Sequence, residues 1–203
     1  MTIHLHQGDL PAGLNFGDSV AIDTETMGLN PLRDRLCLAQ LSSGDGDAHL
    51  VQFAPGKYNA PNLRALLLDQ KVLKLFHFGR FDIAMMAHYL GVVASPVYCT
   101  KIASKLARTF TDRHGLKDLC RELIGVELSK QQQSSDWGAP ELTEEQKRYA
   151  ASDVLHLHAL KAKLDGMLVR ENRQQLALAC FAFLPTRAFL DLTGYESTDI
   201  FEH

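Results

Sequence analysis

Asp23-Thr24-Glu25 sets two carboxylates two residues apart in the stretch SVAIDTE, residues 19–25. Polar and apolar residues alternate there, which predicts a strand, and a strand sends residues i and i+2 to one face. Two hard oxygen ligands on one face suit Mg²⁺ or Mn²⁺. Alone the triplet says little, because 15 Asp and 9 Glu in 203 residues give about 0.7 such triplets by chance.

Other acids acquire meaning from their setting. Asp82 follows the apolar run VLKLFHF (72–78) and opens a predicted helix, where an ordinary N-terminal helix acid is the simpler reading. Tyr149 and Asp153 lie four apart on a predicted helix, so they share a face. Tyr195 and Asp199 have the same spacing, but they follow Gly194 in a polar stretch with no apolar periodicity to hold them, so that pair is set aside. Four acids brought together as a cluster of like charge are unstable without cations. Two divalent ions about 3.5–4 Å apart would neutralise them and clamp both oxygens of a phosphodiester in hydrolysis.

The elements that must position these residues follow from the hydrophobic pattern. Strands are expected at 19–25, 36–43 and 48–54, with a turn at Gly44-Asp45-Gly46-Asp47 making a meander of them. A helix near 62–70, the strand 72–78, a helix from Phe81 stopping at Gly91 and a short strand at 97–100 come next. The second half reads as helices over 100–110 and 115–125, then one long helix from about 143 into the early 170s. Thr143 and Gln146 have capping-box spacing at its start, and Val154, Leu157, Leu160, Leu164 and Leu168 form its apolar stripe. A last helix over 174–192 should bend or break at Pro185. Strands first and helices after, with one β-helix-β crossover, predict an α/β domain with a central mixed sheet flanked by helices.

Composition bounds the rest. At 46% hydrophobic and 22% charged, the chain is expected to fold as one globular domain over 1–203. A formal charge of −3 provides no global attraction to nucleic acid or to an acidic membrane, so an anionic substrate must be drawn by a local patch or by metal. Cys37, Cys99, Cys120 and Cys180 are scattered singly, which predicts reduced thiols. The N-terminus has no basic and apolar leader pattern, and no run approaches the ~18 apolar residues of a membrane span. These features point to the cytoplasm and to no membrane partner.

In this context IDTETMGL (22–29), HFGRFD (77–82) and QQSSDWGAPELTEEQKRYAASDVLHL (132–157) resemble the three motifs of the DEDDy 3′-to-5′ exonucleases of the ribonuclease D-like family. The third block, SDW followed by YAASD, is the most specific. The resemblance implies a ribonuclease H-like fold over a motif-bearing core of about 15–170, with a helical C-terminal segment over about 173–203. It also implies two Mg²⁺ or Mn²⁺ ions and hydrolysis from the 3′ end to nucleoside 5′-monophosphates. Asp23, Glu25, Asp82 and Asp153 become the metal-site carboxylates, Asp23 bridging the ions, and Tyr149 the residue that orients the attacking water. An ordinary phenol pKa near ~10 makes Tyr149 a poor base at neutral pH, so its expected role is hydrogen bonding. Ribonuclease D itself carries helical nucleic-acid-binding domains after the exonuclease domain, for which this sequence has no room. The compact form is similar to the short nano-RNase C (oligoribonuclease-like) branch, which implies dinucleotides and other very short RNA as substrates and a homo-oligomeric assembly.

Substrate contacts are weighed against simple packing. Met27, Gly28 and Leu29 would pass beside the terminal nucleotides, with Leu29 as a wedge between bases. His77 and Phe78, more than Phe81, offer a stacking platform. Trp137, the sole tryptophan, either contacts base or sugar or packs against the long helix. Lys101, Lys105 and Arg108 fall at i, i+4 and i+7, a basic stripe that is by default a solvated face. Arg80, Arg113 and His114 are further phosphate candidates. The alternatives are trimming of longer RNA such as tRNA 3′ ends, a DNA exonuclease, and a non-catalytic nucleic-acid-binding module. The last is disfavoured because all four acids and the tyrosine are present.

Overall fold

The computed structural model describes every residue except Met1, Lys130, Gln131 and Gln133; Gln133, within the third motif, therefore lies outside the described residues. Six strands form one mixed sheet: β1 Ile3–Gln7, β2 Ser19–Thr26, β3 Leu36–Ser42, β4 Ala48–Gln52, β5 Leu73–Phe76 and β6 Val97–Cys99, in the order β1-β4-β3-β2-β5-β6. The expected meander is present, since β2-β3 and β3-β4 are antiparallel, while β2-β5, β5-β6 and β1-β4 are parallel. Helices are α1 Pro61–Leu68, α2 Arg80–Leu90, α3 Thr100–Ala107, α4 Leu116–Leu119 widening into a π-helical turn over Cys120–Ile124, α5 Glu144–Leu155, α6 Leu157–Arg170 and α7 Gln174–Leu192. Gly91 closes α2 in the left-handed conformation, at φ 68°, which a residue with a side chain adopts only at a cost.

The structure goes beyond the sequence pattern in several places. β1 was not foreseen, because His4, His6 and Gln7 dilute the apolar signal of IHLHQ and the strand is defined by its parallel pairing with β4. The long helix is two helices that meet at His156, whose φ of −106° and ψ of −4° interrupt the backbone ladder. The stripe Val154, Leu157, Leu160, Leu164, Leu168 continues through the break, fully or almost fully buried. The break lets α5 cross β2, β3 and β4 while α6 packs on α3 and β5. α7 runs through Pro185 without breaking. Packing of Phe181, Leu184 and Ala188, along a helix that lies on α2, α3 and β6, offsets the hydrogen bond that proline removes. α7 is also long and apolar enough to cross a membrane by length and composition, an exception to the expectation that no run approaches a span. In the fold it carries Asp191, which is ion-paired with Arg80 at 2.6 Å.

The main core fills the space between sheet and helices, and a smaller one of Cys37, Leu38, Leu50, Trp137, Leu142 and Ala150 lies beneath α5. The capping box of α5 forms as the spacing predicts: Gln146 N–H donates to Thr143 Oγ1 at 3.2 Å, and Thr143 N–H donates to Gln146 Oε1 at 2.9 Å. This fixes the start of the helix that carries Tyr149 and Asp153.

Candidate active site

Strand alternation does what the sequence requires of it. Asp23 and Glu25 lie opposite Gln40 and Leu38 of β3, on the face covered by α5, and Asp153 reaches them from that helix. One carboxylate oxygen from each of Asp23, Glu25 and Asp153 lies within 4.8 Å of the other two. Asp82 is not part of this triad. Thr24 faces the other way along β2 and its hydroxyl donates to Asp82 Oδ1 at 2.6 Å, in a buried pair. Asp82 therefore joins the acids from the α2 side, close enough to act on their charge but anchored to a different residue.

The electrostatics are those of acids crowded together. Burial, then repulsion from Asp82, Asp153 and Glu25, raises Asp23 well above the usual carboxylate range. Glu25 is pushed up to about 9 by burial and by Asp153 and Asp82. Asp82 rises to about 7 by burial, against the pull of the Thr24 hydroxyl. Asp153 also rises to about 7, by burial and Asp82, against the hydrogen bond from Tyr149. Such a set ionises fully only beside positive charge, and converging, half-buried carboxylate oxygens are the donor set a hard divalent cation takes. The residues fit Mg²⁺ or Mn²⁺. Tyr149 is raised above the ordinary phenol value by burial and by Asp153, Glu25 and Asp23, so at neutral pH it is a hydroxyl that donates.

Around the acids lies a cavity of about 860 Å³ lined by Asp23, Glu25, Met27, Gly28, Leu29, His77, Phe78, Asp82, Trp137, Tyr149 and Asp153, but not by the phosphate candidates Arg80, Lys105, Arg108, Arg113 and His114. Their exposures separate the roles. Leu29 is 86% and Phe78 49% exposed, free surfaces at the rim, whereas Phe81 is half-buried against the core. Trp137, at 3% exposure, belongs to the core beneath α5, with its ring 5.9 Å from that of Tyr149. Trp137 thus packs beneath α5 and at the same time forms part of the cavity lining.

The rim loop after β2 is shaped by close contacts. A register shift between Glu25 and Thr26 bends the strand out of the sheet. Thr26 Oγ1 donates to Gly28 O at 2.5 Å, and a Cβ on Gly28 would sit 2.3 Å from Asp34 Oδ2. Phe78, which lines a smaller neighbouring pocket together with Leu29, adopts φ 62°, strain on the order of 1–3 kcal/mol for a residue with a side chain. Its ring lies under Lys101 Nζ, 4.1 Å from the centroid. Next to it, the Thr100 hydroxyl donates to Phe76 O at 3.2 Å and meets His77 Nδ1 at 2.9 Å. When the hydroxyl proton goes to Phe76 O, His77 Nδ1 is the donor and Nε2 is the free acceptor. Burial and Lys101 hold His77 near 3, so it stays neutral.

Of the basic residues, Lys101 lines the cavity, joined by Lys117, which the sequence reading did not single out. The stripe breaks at Arg108, which is 2% exposed and paired with Glu122. Arg113 also pairs with Glu122, His114 meets Ser104 at 2.8 Å, and Arg80 donates to Asp191 and to Glu196 O.

Sequence reasoning missed the residues that hold the site in place. Gln40, buried within an apolar strand, donates through Nε2 to Asp23 Oδ2 at 2.8 Å. The segment carrying Trp137 is tied down by Arg35 to Gly138 O at 3.0 Å, Gln52 to Ala139 O at 3.0 Å and Gln146 to Asp136 O at 3.0 Å. A glutamine inside an otherwise apolar strand was the available signal for Gln40 and Gln52, since a buried amide needs a partner.

With this geometry the comparisons agree. A family profile described as 3′-5′ exonuclease matches residues 9–169. The ribonuclease D of Gluconacetobacter diazotrophicus is 36% identical over 154 residues, 76% of this chain and 39% of that protein; the chain thus spans about two fifths of the length of the curated relatives it matches. Brucella melitensis NrnC with bound Mg²⁺ superposes with a TM-score of 0.96 at 57% identity, covering 100% of both chains. The same protein bound to pGG superposes with a TM-score of 0.97 at 58% identity, covering 100% of this chain and 99% of the other.

Proposed function

Because the chain belongs to the 3′-5′ exonuclease family, on its ribonuclease D-like branch, we propose that it is an exoribonuclease that hydrolyses very short RNA, dinucleotides above all, to nucleoside 5′-monophosphates. The observation that carries this reading is the convergence of Asp23, Glu25 and Asp153 within 4.8 Å, with Asp82 beside them, in a cavity of about 860 Å³. That volume is in the range of single-ligand pockets. Full-length likeness to a nuclease solved with pGG supports the short substrate.

Asp23, Glu25, Asp82 and Asp153 hold two divalent cations in this reading, of the kind the relative binds as Mg²⁺. When bound, the cations supply the positive charge that activates water and stabilises the leaving 3′ oxygen. The protein's own residues do the rest. Tyr149 donates its hydroxyl hydrogen bond to orient the attacking water, and Trp137 backs its ring. Leu29 and Phe78, exposed apolar side chains of the cavity lining, hold the bases. His77, with Nε2 as acceptor, receives a sugar hydroxyl rather than a phosphate, while Lys101 and Lys117 offset phosphate charge. The exposed apolar residues Leu176, Leu178 and Phe189 on α7 support a homo-oligomer, and the four free thiols fit a reducing cytoplasm.

A 5′-labelled RNA tests the reaction class. Shortening from the 3′ end with release of nucleoside 5′-monophosphates, absent in Asp153→Asn, is the expected result; internal cleavage, or equal activity in the variant, would contradict it. Light scattering tests assembly, where a monomer at all concentrations would remove the oligomer.

A further inference from the structure

His4 and His6 lie two apart on β1, so their side chains leave the same face of the strand. His49 on the neighbouring β4 is in register with His4. The three rings meet: the His4 and His49 centroids are 4.7 Å apart and those of His6 and His49 5.3 Å apart, and His6 Nε2 lies 3.0 Å from His49 Nδ1. That contact is a hydrogen bond between the two rings; two imidazole nitrogens on one tetrahedral zinc, at Zn–N of 2.0–2.1 Å, are about 3.3 Å apart, so a metal replacing the shared proton needs only a small change in separation. The Asp47 carboxylate lies beside them, with Oδ2 3.8 Å from His4 Nε2 and Oδ1 accepting from Thr2 N–H at 2.9 Å. Phe16 packs edge-on to His49 at 5.5 Å and closes one side.

We propose that His4, His6 and His49, with the Asp47 carboxylate, form a second metal site, for an imidazole-preferring divalent cation of the zinc class. Two histidines at i and i+2 with a third on the adjoining strand present three ligands on one sheet face. The three rings are not yet a converged ligand set, with the His4 and His6 centroids 6.5 Å apart, so the exposed His4 ring must swing for its nitrogen to join the His6–His49 pair. Burial, together with neighbouring imidazoles, lowers His6 and His49 below the ordinary value, which keeps them in the neutral, ligating form at neutral pH. Nitrogen ligands select zinc, copper or nickel over Mg²⁺ and Mn²⁺, so this site would pass over the hard ions that suit the acid cluster. They also lie on opposite faces of the sheet: His49 is in register with Leu41 and Leu41 with Ile22, whereas Asp23, Gln40 and Leu50 form the adjacent row. An ion here would tie the edge strand β1 to β4.

The test is calorimetric titration of tag-free, chelator-treated full-length protein with zinc, beside His49→Gln, His6→Gln and His4→Gln, and Cu²⁺ electron paramagnetic resonance to read nitrogen ligation. The expected result is one more zinc equivalent in the parent than in His49→Gln, a loss of affinity of tenfold or more in His6→Gln and His4→Gln, and nitrogen hyperfine structure that the variants lose. Zinc should raise the Tm of the parent more than that of His49→Gln, which keeps only the acid cluster. His4 is exposed at the sheet edge, so His4→Gln keeps the test valid if the other variants fold poorly. Equal stoichiometry and affinity in the parent and His4→Gln, or oxygen-only copper spectra, would overturn the proposal.

Discussion

Gln40 Nε2 donates to Asp23 Oδ2 at 2.8 Å across the β2–β3 pair, in which the two residues face each other directly. One oxygen of Asp23 is thereby held, and the orientation of the whole carboxylate toward Glu25 and Asp153 is set by a neutral amide that adds no charge to an acid cluster. Gln40→Leu keeps approximate volume but removes the donor. Partners of this kind are worth about 10–100-fold in metal affinity or activity. Gln40→Leu is expected to raise the Mg²⁺ concentration for half-maximal rate by that order without changing the far-ultraviolet spectrum; an unchanged Mg²⁺ dependence would reduce Gln40 to packing.

The acid cluster works against the stability of the cation-free fold. In chelator, Asp153→Asn is expected to raise stability by about 1 kcal/mol or more, roughly 2–4 °C in Tm for a chain of this size, while abolishing hydrolysis. Mg²⁺ should raise the Tm of the parent and not of the variant. A variant less stable than the parent in chelator would mean that the acids are not crowded.

The same crowding fixes a pH dependence. Asp82 and Asp153 are held at about 7 and Glu25 at about 9, against about 4 in the unfolded chain. Folded protein retains protons that the unfolded chain releases, so this contribution is fully present below about pH 4 and is lost as pH rises through 7 toward 9. Tm of the chelated parent, measured from pH 5 to 9, should fall more steeply than that of Asp153→Asn. Parallel curves would count against the raised acids.

Tyr149→Phe separates hydrogen bonding from proton abstraction. Loss of an orienting hydroxyl should cost about 10–100-fold in kcat with little change in KM, and the pH–rate profile should keep its shape, because the phenol does not titrate in the working range. Complete inactivity, or loss of a pH limb, would make Tyr149 a base.

Leu29→Ala removes the most exposed apolar side chain at the rim. If it stacks between bases, KM for a dinucleotide should rise about tenfold, in line with the ~1.5–3 kcal/mol of a buried leucine; unchanged kinetics would leave Leu29 a loop residue.

The parts of the site that depend on local periodicity were legible in the sequence. Asp23 and Glu25 share a face because strands alternate, and Tyr149 and Asp153 share one because their helix is capped by Thr143 and Gln146. What escaped were tertiary facts. Strand β1 exists through β4, His156 breaks a helix whose apolar stripe does not pause, and Arg108 turns inward to Glu122 although its spacing from Lys101 and Lys105 suggests one basic face. Asp82 taken alone reads as an ordinary N-terminal helix acid, and only the fold could place it beside the other acids with the Thr24 hydroxyl against it. Gln40 and Gln52 stand out in retrospect as amides in apolar strands, but a sequence cannot say which partner satisfies them.

The most direct measurement compares initial rates on a 5′-phosphorylated diribonucleotide and on a longer single-stranded RNA, in Mg²⁺ and in Mn²⁺, with Asp153→Asn as the blank. A strong, metal-dependent preference for the dinucleotide is the expected result. Equal or faster cleavage of the longer RNA would contradict the short-substrate reading and favour trimming of RNA 3′ ends, and no metal-dependent cleavage of either would contradict catalysis at the acid cluster itself.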